Sequence, residues 1–381
     1  MARGGIVSAG DPACYDESKK PQPSVHVPLL VVGAGAAGAA AAIAAVKLGI
    51  VTMLVEEQPV SGELMALDVP LHFGGRMARD SGNARSMQQI LESSPDIAEA
   101  YELGIDVQLG VCVWGIFPGG RLDHGASPLL IGLADEHRSW FVSCDRVIVA
   151  GGARDLCIGF PGWEKPGVMG AQAAVQLMQR YDAFTGSRML ILGGGATALQ
   201  VMEAAAKKGI AVAGVVQAEA LPEEQDCARR IVGMGVPYYA GYLIQEVRGS
   251  VEVESAVIVR LDDEFRPLAG SQITVACDTV VLAIGTVPNI ELLDTLNCQL
   301  HFEPFRGGWV PARDASGATS LPYVYAIGDC AGLGAEPGED GRRAARAVAR
   351  SLGLVPDPVE TEAERPPTQD LSVQRARVWM R

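Results

Sequence analysis

Residues 33–38 read Gly-Ala-Gly-Ala-Ala-Gly, and no other stretch restricts the fold as tightly. The first glycine permits a tight turn, the second lets a phosphate group approach the backbone, and the third allows a helix to pack close to a strand. Alone the hexapeptide is weak; its setting supplies the strength. Residues 28–32 suit a short buried strand, 39–48 form an alanine-rich helical segment, Gly49 can end it, and 50–55 suit a second strand. The N-terminus of such a helix offers unpaired amides to a pyrophosphate, with Gly33, Gly35, Ala36, Ala37 and Gly38 as the cradle. Glu56 follows Gly33 by 23 residues, at the end of the second strand, where a carboxylate can hold a pair of ribose hydroxyls; Glu57 lies beside it. A bound adenine dinucleotide is expected here.

The same grammar returns later in the chain. Residues 189–192 suit a strand, Gly193, Gly194 and Gly195 a turn, a helix runs to about Lys208, Gly209 caps it, and 212–216 continue as a strand. Ala198 replaces the packing glycine with the smallest residue that carries a β-carbon, so Gly193, Gly195, Ala196 and Thr197 can still form a working turn. At the ribose-reading position stand Val216 and Gln217, neither an acid for NAD nor an arginine for the phosphate of NADP. NAD(P), another adenine nucleotide and an empty scaffold all remain open for this second unit.

A chain of 381 residues exceeds what one hydrophobic core usually serves, so two or three domains are expected. Its net charge of -14 gives no global pull toward nucleic acid or anionic lipid. The eight cysteines include no CxxC pair, which signals neither a zinc knuckle nor a local dithiol. The most apolar stretch, 27–55, is interrupted by glycines, so no transmembrane segment is expected. Residues 1–27 lack the basic-then-apolar pattern of a secretory signal, and a cytoplasmic location is the default expectation.

Between the two glycine units, 85–103 reads as helical with a break near Pro95, 107–116 as a strand, 129–133 with 140–142 as a hairpin, and 146–150 as a return to the interior. After the second unit, 221–230 reads as a helix, and strands are expected near 243–247, 256–259 and 280–283. A last interior strand, 323–327, ends in Gly328 and Asp329, which suggests that one domain is inserted into another.

Five separated signatures now stand in order: the unit from Gly33 to Glu56, Val-Ile-Val-Ala-Gly-Gly at 147–152, the second glycine unit, Val-Val-Leu-Ala-Ile-Gly at 280–285 with Pro288 and Asn289, and Tyr-Ala-Ile-Gly-Asp at 325–329. Over roughly 27–351 the chain resembles the two-dinucleotide-binding-domain flavoproteins, which include glutathione-reductase-like and ferredoxin-reductase-like enzymes. The resemblance implies an α/β fold of two Rossmann-like three-layer domains of the glutathione-reductase type, the second inserted in the first. The expected division is an N-terminal arm at 1–26, a discontinuous FAD-binding domain at 27–158 and 291–353, a second nucleotide-binding-like domain at 159–290, and a C-terminal arm at 354–381. It also implies that Asp329, with Gly328, lies near the ribityl and pyrophosphate groups of FAD, that Gly151 and Gly152 let the crossover backbone pass close to it, and that Ala150 and Gly151 contact the cofactor. The threonine usual in that segment of the family is missing here.

Gly-Phe-Pro-Gly-Trp at 159–163 followed by Pro-Gly-Val-Met at 166–169 narrows the resemblance to FAD subunits of heteromeric opine or amino-acid dehydrogenases and of hydrogen cyanide synthase. Such subunits imply a glycine/sarcosine-oxidase-like flavoprotein partner and a small iron-sulfur subunit, with a small-molecule amine or amino acid as substrate. Nothing after Cys330 is cysteine, so a [2Fe-2S] centre or second flavin would have to come from a partner subunit. The resemblance places residues 71–76 near the isoalloxazine ring, where Gly75 allows close approach, Arg76 can stabilise anionic reduced flavin or a substrate carboxylate, and His72 is a candidate acid or base. The expected activity is oxidation of a C–N bond with electrons passed to a second flavin, an iron-sulfur centre or an external acceptor. Two alternatives stand beside it: a stand-alone NAD(P)H-dependent flavin reductase, and a noncatalytic nucleotide-binding scaffold.

Overall fold

A computed structural model describes residues 22–58, 94–118, 128–219, 225–334 and 336–355. Strand β1, Val25–Val32, leads through the glycine turn into helix α1, Ala36–Lys47, and on to β2, Thr52–Glu56. Helix α2, Pro95–Glu102, starts at the proline expected to break a longer helix, because proline is tolerated in a first turn, where its missing N–H has no partner to lose. The single strand expected at 107–116 is two, β3 (Asp106–Leu109) and β4 (Cys112–Pro118); Gly110, with φ of 71°, turns the chain between them. β5, Leu129–Ala134, pairs antiparallel with β6, Ser139–Val149.

β6 corrects a second expectation, since the hairpin arm and the later interior strand are one continuous element. Its whole C-terminal part lies parallel beside β1, while its other edge pairs first with β5 and then, at Val147–Val149, with the last described strand, Val324–Ala326. One long strand therefore serves both the parallel layer and the antiparallel meander. The order is β3-β2-β1-β6-β5-β4.

The crossover strand β7, Ala153–Asp155, leads to β8, Val168–Gly170, and helix α3, Ala171–Gln179. Then come β9 (Arg188–Leu192), α4 (Ala196–Lys208), β10 (Ala211–Gln217), α5 (Gln225–Gly233), β11 (Tyr238–Ala240), the antiparallel group β12 (Tyr242–Arg248), β13 (Ser255–Arg260) and β14 (Ile273–Ala276), and β15 (Thr279–Leu282). The parallel order β11-β10-β9-β15-β8 repeats the logic of the first sheet. Return strand β16, Thr286–Pro288, pairs antiparallel with β7. Helix α6 (Glu291–Thr295), hairpin β17 (Leu300–Glu303) with β18 (Gly308–Pro311), β19 (Val324–Ala326) and helix α7 (Pro337–Ser351) complete the first unit. The second sheet is thus inserted in the first, and β19 closes the interrupted one.

Small residues bring α1 and α7 together. A β-carbon at Gly341 would lie 2.2 Å from the Ala37 carbonyl oxygen, so that glycine is what lets the two helix backbones touch. Ala37, Ala41, Ala344 and Val348 fill the layer above the sheet. The alanine-rich composition of α1 follows from this close approach and not only from helix propensity.

Candidate functional site

The first glycine turn is built as its spacing predicts. Gly33 has φ of 94°, and a β-carbon there would lie 2.3 Å from the Ala150 carbonyl oxygen; at Gly38 it would lie 1.9 Å from the Gly33 carbonyl oxygen. Gly35 differs, because nothing lies within 4 Å of the place its β-carbon would take. Two glycines serve packing, and the third leaves open space where a ligand backbone can approach. Gly35 caps α1 without any side-chain hydrogen bond, and the first turn contains no acid, so the leading amides of the helix are available.

Glu56 is 8% exposed. Its carboxylate accepts the Ala34 N–H at 2.7 Å and the Gln58 N–H at 3.0 Å, tying the end of β2 to the glycine turn. Burial and the neighbouring Glu56 charge push the Glu57 carboxyl upward, partly offset by a 3.9 Å contact from the Cys112 thiol.

A cavity of about 1060 Å³ runs from Glu56 past Gly33, Gly35, Ala150 and Gly151 to Asp329. Its size lies just above the roughly 300–1,000 Å³ typical of small-molecule sites, fitting an extended dinucleotide. The open space at Gly35, the unpaired α1 amides and the continuous path to Asp329 fit FAD. The cavity also reaches Thr197 in the first turn of α4, so the second glycine unit faces the same space. Gly193 there has φ of 107°, and its β-carbon would lie 2.2 Å from the Ala283 carbonyl oxygen, repeating the packing of Gly33 on Ala150.

Asp329 is held from below. Gly328 has φ of 66°, and its N–H donates to Asp340 at 2.8 Å; Asp340 is paired with Arg313. Cys330 is buried beside this turn, its thiol pushed up to about 11 chiefly by burial, and its sulfur approaches the Val149 and Ile327 carbonyls. It acts there as a small filler. The Pro288-Asn289 signature has a mechanical reason: the Asn289 amide donates to the Gly151 carbonyl at 2.8 Å and its backbone N–H to the Gly152 carbonyl at 3.0 Å, clamping the two crossover strands.

Three residues of consequence escaped the sequence reading: Asp155, Arg313 and Asp340. Asp155 ends β7 inside the cavity, and its Oδ2 accepts the Gln172 N–H at 2.9 Å. Its Oδ1 is buried with no hydrogen-bond partner, and burial pushes the carboxyl up to about 6. No local motif marks any of the three; only the adjacency of Arg313 to the returning β19 and the acidic first turn of α7 could have drawn attention. Gly75, Arg76 and His72 lie outside the described residues.

Cradle, cavity and inserted second glycine unit together define a two-unit flavin and nucleotide oxidoreductase. The chain belongs to the pyridine nucleotide-disulphide oxidoreductase family, whose model matches residues 27–353, and it is an FAD-dependent oxidoreductase. It is 25% identical over 351 residues to an opine oxidase subunit of Agrobacterium tumefaciens (strain Ach5), covering 86% of this chain and 66% of the relative. To hydrogen cyanide synthase subunit HcnB of Pseudomonas protegens it is 25% identical over 349 residues, covering 86% and 71%. The chain thus spans just under two thirds of the length of the former. Among solved structures, thioredoxin reductase of T. acidophilum matches with a TM-score of 0.60 at 18% identity, covering 86% of this chain and 99% of that one. L-proline dehydrogenase of P. horikoshii matches with a TM-score of 0.58 at 17% identity, covering 88% and 57%; both likenesses show the fold. Among the described residues no helix is long and apolar enough to cross a membrane.

Proposed function

We propose that this chain is the FAD-containing subunit of a heteromeric dehydrogenase that oxidises the C–N bond of an amine or an imino- or opine-type amino acid. The observation that carries the reading is the single cavity from Glu56 to Asp329, together with relatives whose names are subunits of opine oxidase and hydrogen cyanide synthase. Oxidation removes a hydride from carbon and a proton from nitrogen, leaving an imine that water hydrolyses; the two electrons then pass to a second flavin, an iron-sulfur centre or an external acceptor. Bound FAD supplies the two-electron acceptor. The α1 amides with Gly33, Gly35, Ala36, Ala37 and Gly38 hold its pyrophosphate, Glu56 its adenosine ribose, and Asp329 its ribityl region. Asp155, raised to about 6 with one oxygen unpartnered, is a described group that can hold a proton beside the cavity, as is Glu57, raised by burial. Arg76 and His72 stay candidates for contact with flavin or substrate, and Gly75 for close approach. The proposed partner is a glycine/sarcosine-oxidase-like flavoprotein, with a small iron-sulfur subunit carrying the metal centre.

A second reading rests on a separate observation. Thr197 opens the helix after the second glycine turn and lines the same cavity as Gly33 and Asp329, so a pyridine nucleotide seated there would lie close to the flavin. That arrangement suits an NAD(P)H-dependent flavin reductase. The deciding experiment is an anaerobic absorption spectrum of the natively purified assembly, with subunit masses and metal content, before and after adding amino acids, imino acids or NADH. Bleaching by an amino or imino acid in a multi-subunit sample supports the dehydrogenase. A homomeric flavoprotein bleached only by NADH or NADPH sinks it in favour of the reductase.

A further inference from the structure

Helix α3 of the inserted unit buries one face and turns another toward the first unit. Ala171, Ala174, Leu177 and Met178 are its buried residues and join the core of the inserted unit. Gln172, Val175 and Gln176, at the i, i+3, i+4 spacing of a second face, line the cavity that runs from Glu56 to Asp329. Thr197 and Gln200, three residues apart at the start of α4, line it as well. A smaller crevice of about 310 Å³ adjoins that cavity, and Val175 and Gln176 border both spaces, as do Gly35 and Glu56. Gln176, half-buried, therefore stands across from the glycine turn and the carboxylate at the end of β2.

This wall is uncharged. A helix face that meets only water usually carries lysine or glutamate, and α4 does so on its exposed side with Glu203, Lys207 and Lys208. The cavity side of α3 and α4 offers three amides, a hydroxyl and a valine instead. An amide can donate to a phosphate oxygen and accept from a ribose hydroxyl, and it neither repels an anion nor competes with Glu56 for the ribose. The protein itself holds the wall in place. Asp155, at the end of β7, accepts the Gln172 N–H at 2.9 Å, and β7 pairs with β16, after which Asn289 grips the Gly151 and Gly152 carbonyls. The far end of α3 also lies close to β2: burial raises the Tyr181 hydroxyl, the Arg180 charge opposes the rise, and the Glu56 charge adds to it across the unit boundary. A wall fixed in this way gives up little conformational freedom when a ligand meets it.

We infer that FAD is held between the two units and not by the first alone, with Gln176 of α3 a binding residue for its adenosine diphosphate half and Gln172, Thr197 and Gln200 completing the wall. This role rests on the flavin reading of the cavity and extends it to residues of the inserted unit. The cofactor then ties one unit to the other, and its removal loosens α3 and the start of α4.

Two measurements on the full chain test this: hydrogen exchange read by mass spectrometry without and with saturating FAD, and calorimetric titration of FAD and of ADP into apo wild type, Gln176→Leu and Gln176→Glu. FAD should slow exchange across α3 and the first turn of α4 as well as around the first glycine turn. Gln176→Leu, close in size, should weaken FAD and ADP alike by roughly threefold to tenfold, the worth of a neutral hydrogen bond. Gln176→Glu, which sets a charge against the pyrophosphate, should weaken both by more. Leucine and glutamate are strong helix formers, so both variants keep α3. Unchanged exchange in α3 on FAD binding overturns the inference with no variant required. So do Gln176→Leu and Gln176→Glu proteins that bind FAD and ADP like the wild type. Wild type that binds ADP with protection of α3 but does not bind FAD sinks the flavin reading and keeps the wall as a nucleotide contact; wild type that binds neither sinks both.

Discussion

Arg313 and Asp340 form an ion pair beneath the Gly328-Asp329 turn, with Arg313 Nη1 donating to both Asp340 oxygens at 2.8 and 2.9 Å. The carboxylate also accepts the Gly328 N–H at 2.8 Å, and the same Arg313 nitrogen reaches the Ala326 carbonyl at 3.2 Å. Asp340 is only 1% exposed, and Arg313 is largely buried. The pair therefore fixes the backbone that carries Asp329, through groups that touch no ligand themselves.

Removing Asp340 leaves the Arg313 guanidinium buried without a carboxylate, a loss that typically costs about 3–5 kcal/mol. Asp340→Ala should lower stability by about that amount in urea unfolding and release FAD more readily. Replacing both members with apolar residues of similar volume should recover most of the stability but not the flavin affinity, because the Gly328 amide still lacks its acceptor. Recovery of both would show that the pair does not position the Asp329 turn.

Gly35 and Gly38 stand three residues apart and should fail in opposite ways. Gly38→Ala puts a β-carbon 1.9 Å from the Gly33 carbonyl, against backbone that cannot yield, so little folded protein is expected. Gly35→Ala meets nothing within 4 Å, and its φ of -67° suits alanine. Its stability should stay within about 1 kcal/mol of wild type, while FAD affinity falls as the methyl group occupies the approach to the pyrophosphate. Equal flavin affinity in a folded Gly35→Ala protein would remove Gly35 from the cradle.

Local spacing is what made the glycine turns legible, since each glycine answers to a backbone contact within one β-α-β unit or to the strand beside it. The inserted topology was legible because 325–329 repeats the ending of a parallel strand after the second unit has closed. The length of β6 was not. Residues 143–145 are Ser-Cys-Asp, which reads as an interruption, yet Ser143 and Cys144 are buried where β1 and β5 both pair with the strand. Tertiary pairing overrides the local preference. Arg313, Asp340 and Asp155 stayed hidden for a related reason: each bonds a group distant in sequence, and a lone charged residue carries no sign of where it will be buried.

Asp155 gives the protein a specific pH dependence. Burial raises its carboxyl from an ordinary 3.8 to about 6, so the native state holds the proton more tightly than the unfolded chain does. Its favourable contribution is therefore fully present below about pH 4 and is lost as pH rises through about 6. Comparison with Asp155→Asn isolates this group, because other titrations cancel between the two proteins. The wild type should lose thermal stability relative to the variant between pH 4 and 7, by roughly 2 °C or more, with a constant difference above pH 7. A difference in melting temperature that stays flat from pH 4 to 8 would show that Asp155 titrates normally.

Gln217 gives the second unit a different ligand preference from that of an acid-bearing dinucleotide fold. It is almost fully buried at the end of β10, with its amide directed to the Glu219 carbonyl. A β-carbon at Gly194 would lie 2.7 Å from the Tyr238 hydroxyl and 3.2 Å from Gln217 Oε1, so both side chains press on the turn. Among the described residues, β10 itself ends in neither a carboxylate to hold a free 2′-hydroxyl nor an arginine to hold a 2′-phosphate; the nearest acid, Glu219, lies two residues further on. Lacking either charged hydrogen bond, the site should separate NADH from NADPH by less than about tenfold. Calorimetric titration of each nucleotide into FAD-loaded protein measures this ratio directly, and a preference of a hundredfold for either would mean that a group outside β10 reads the ribose.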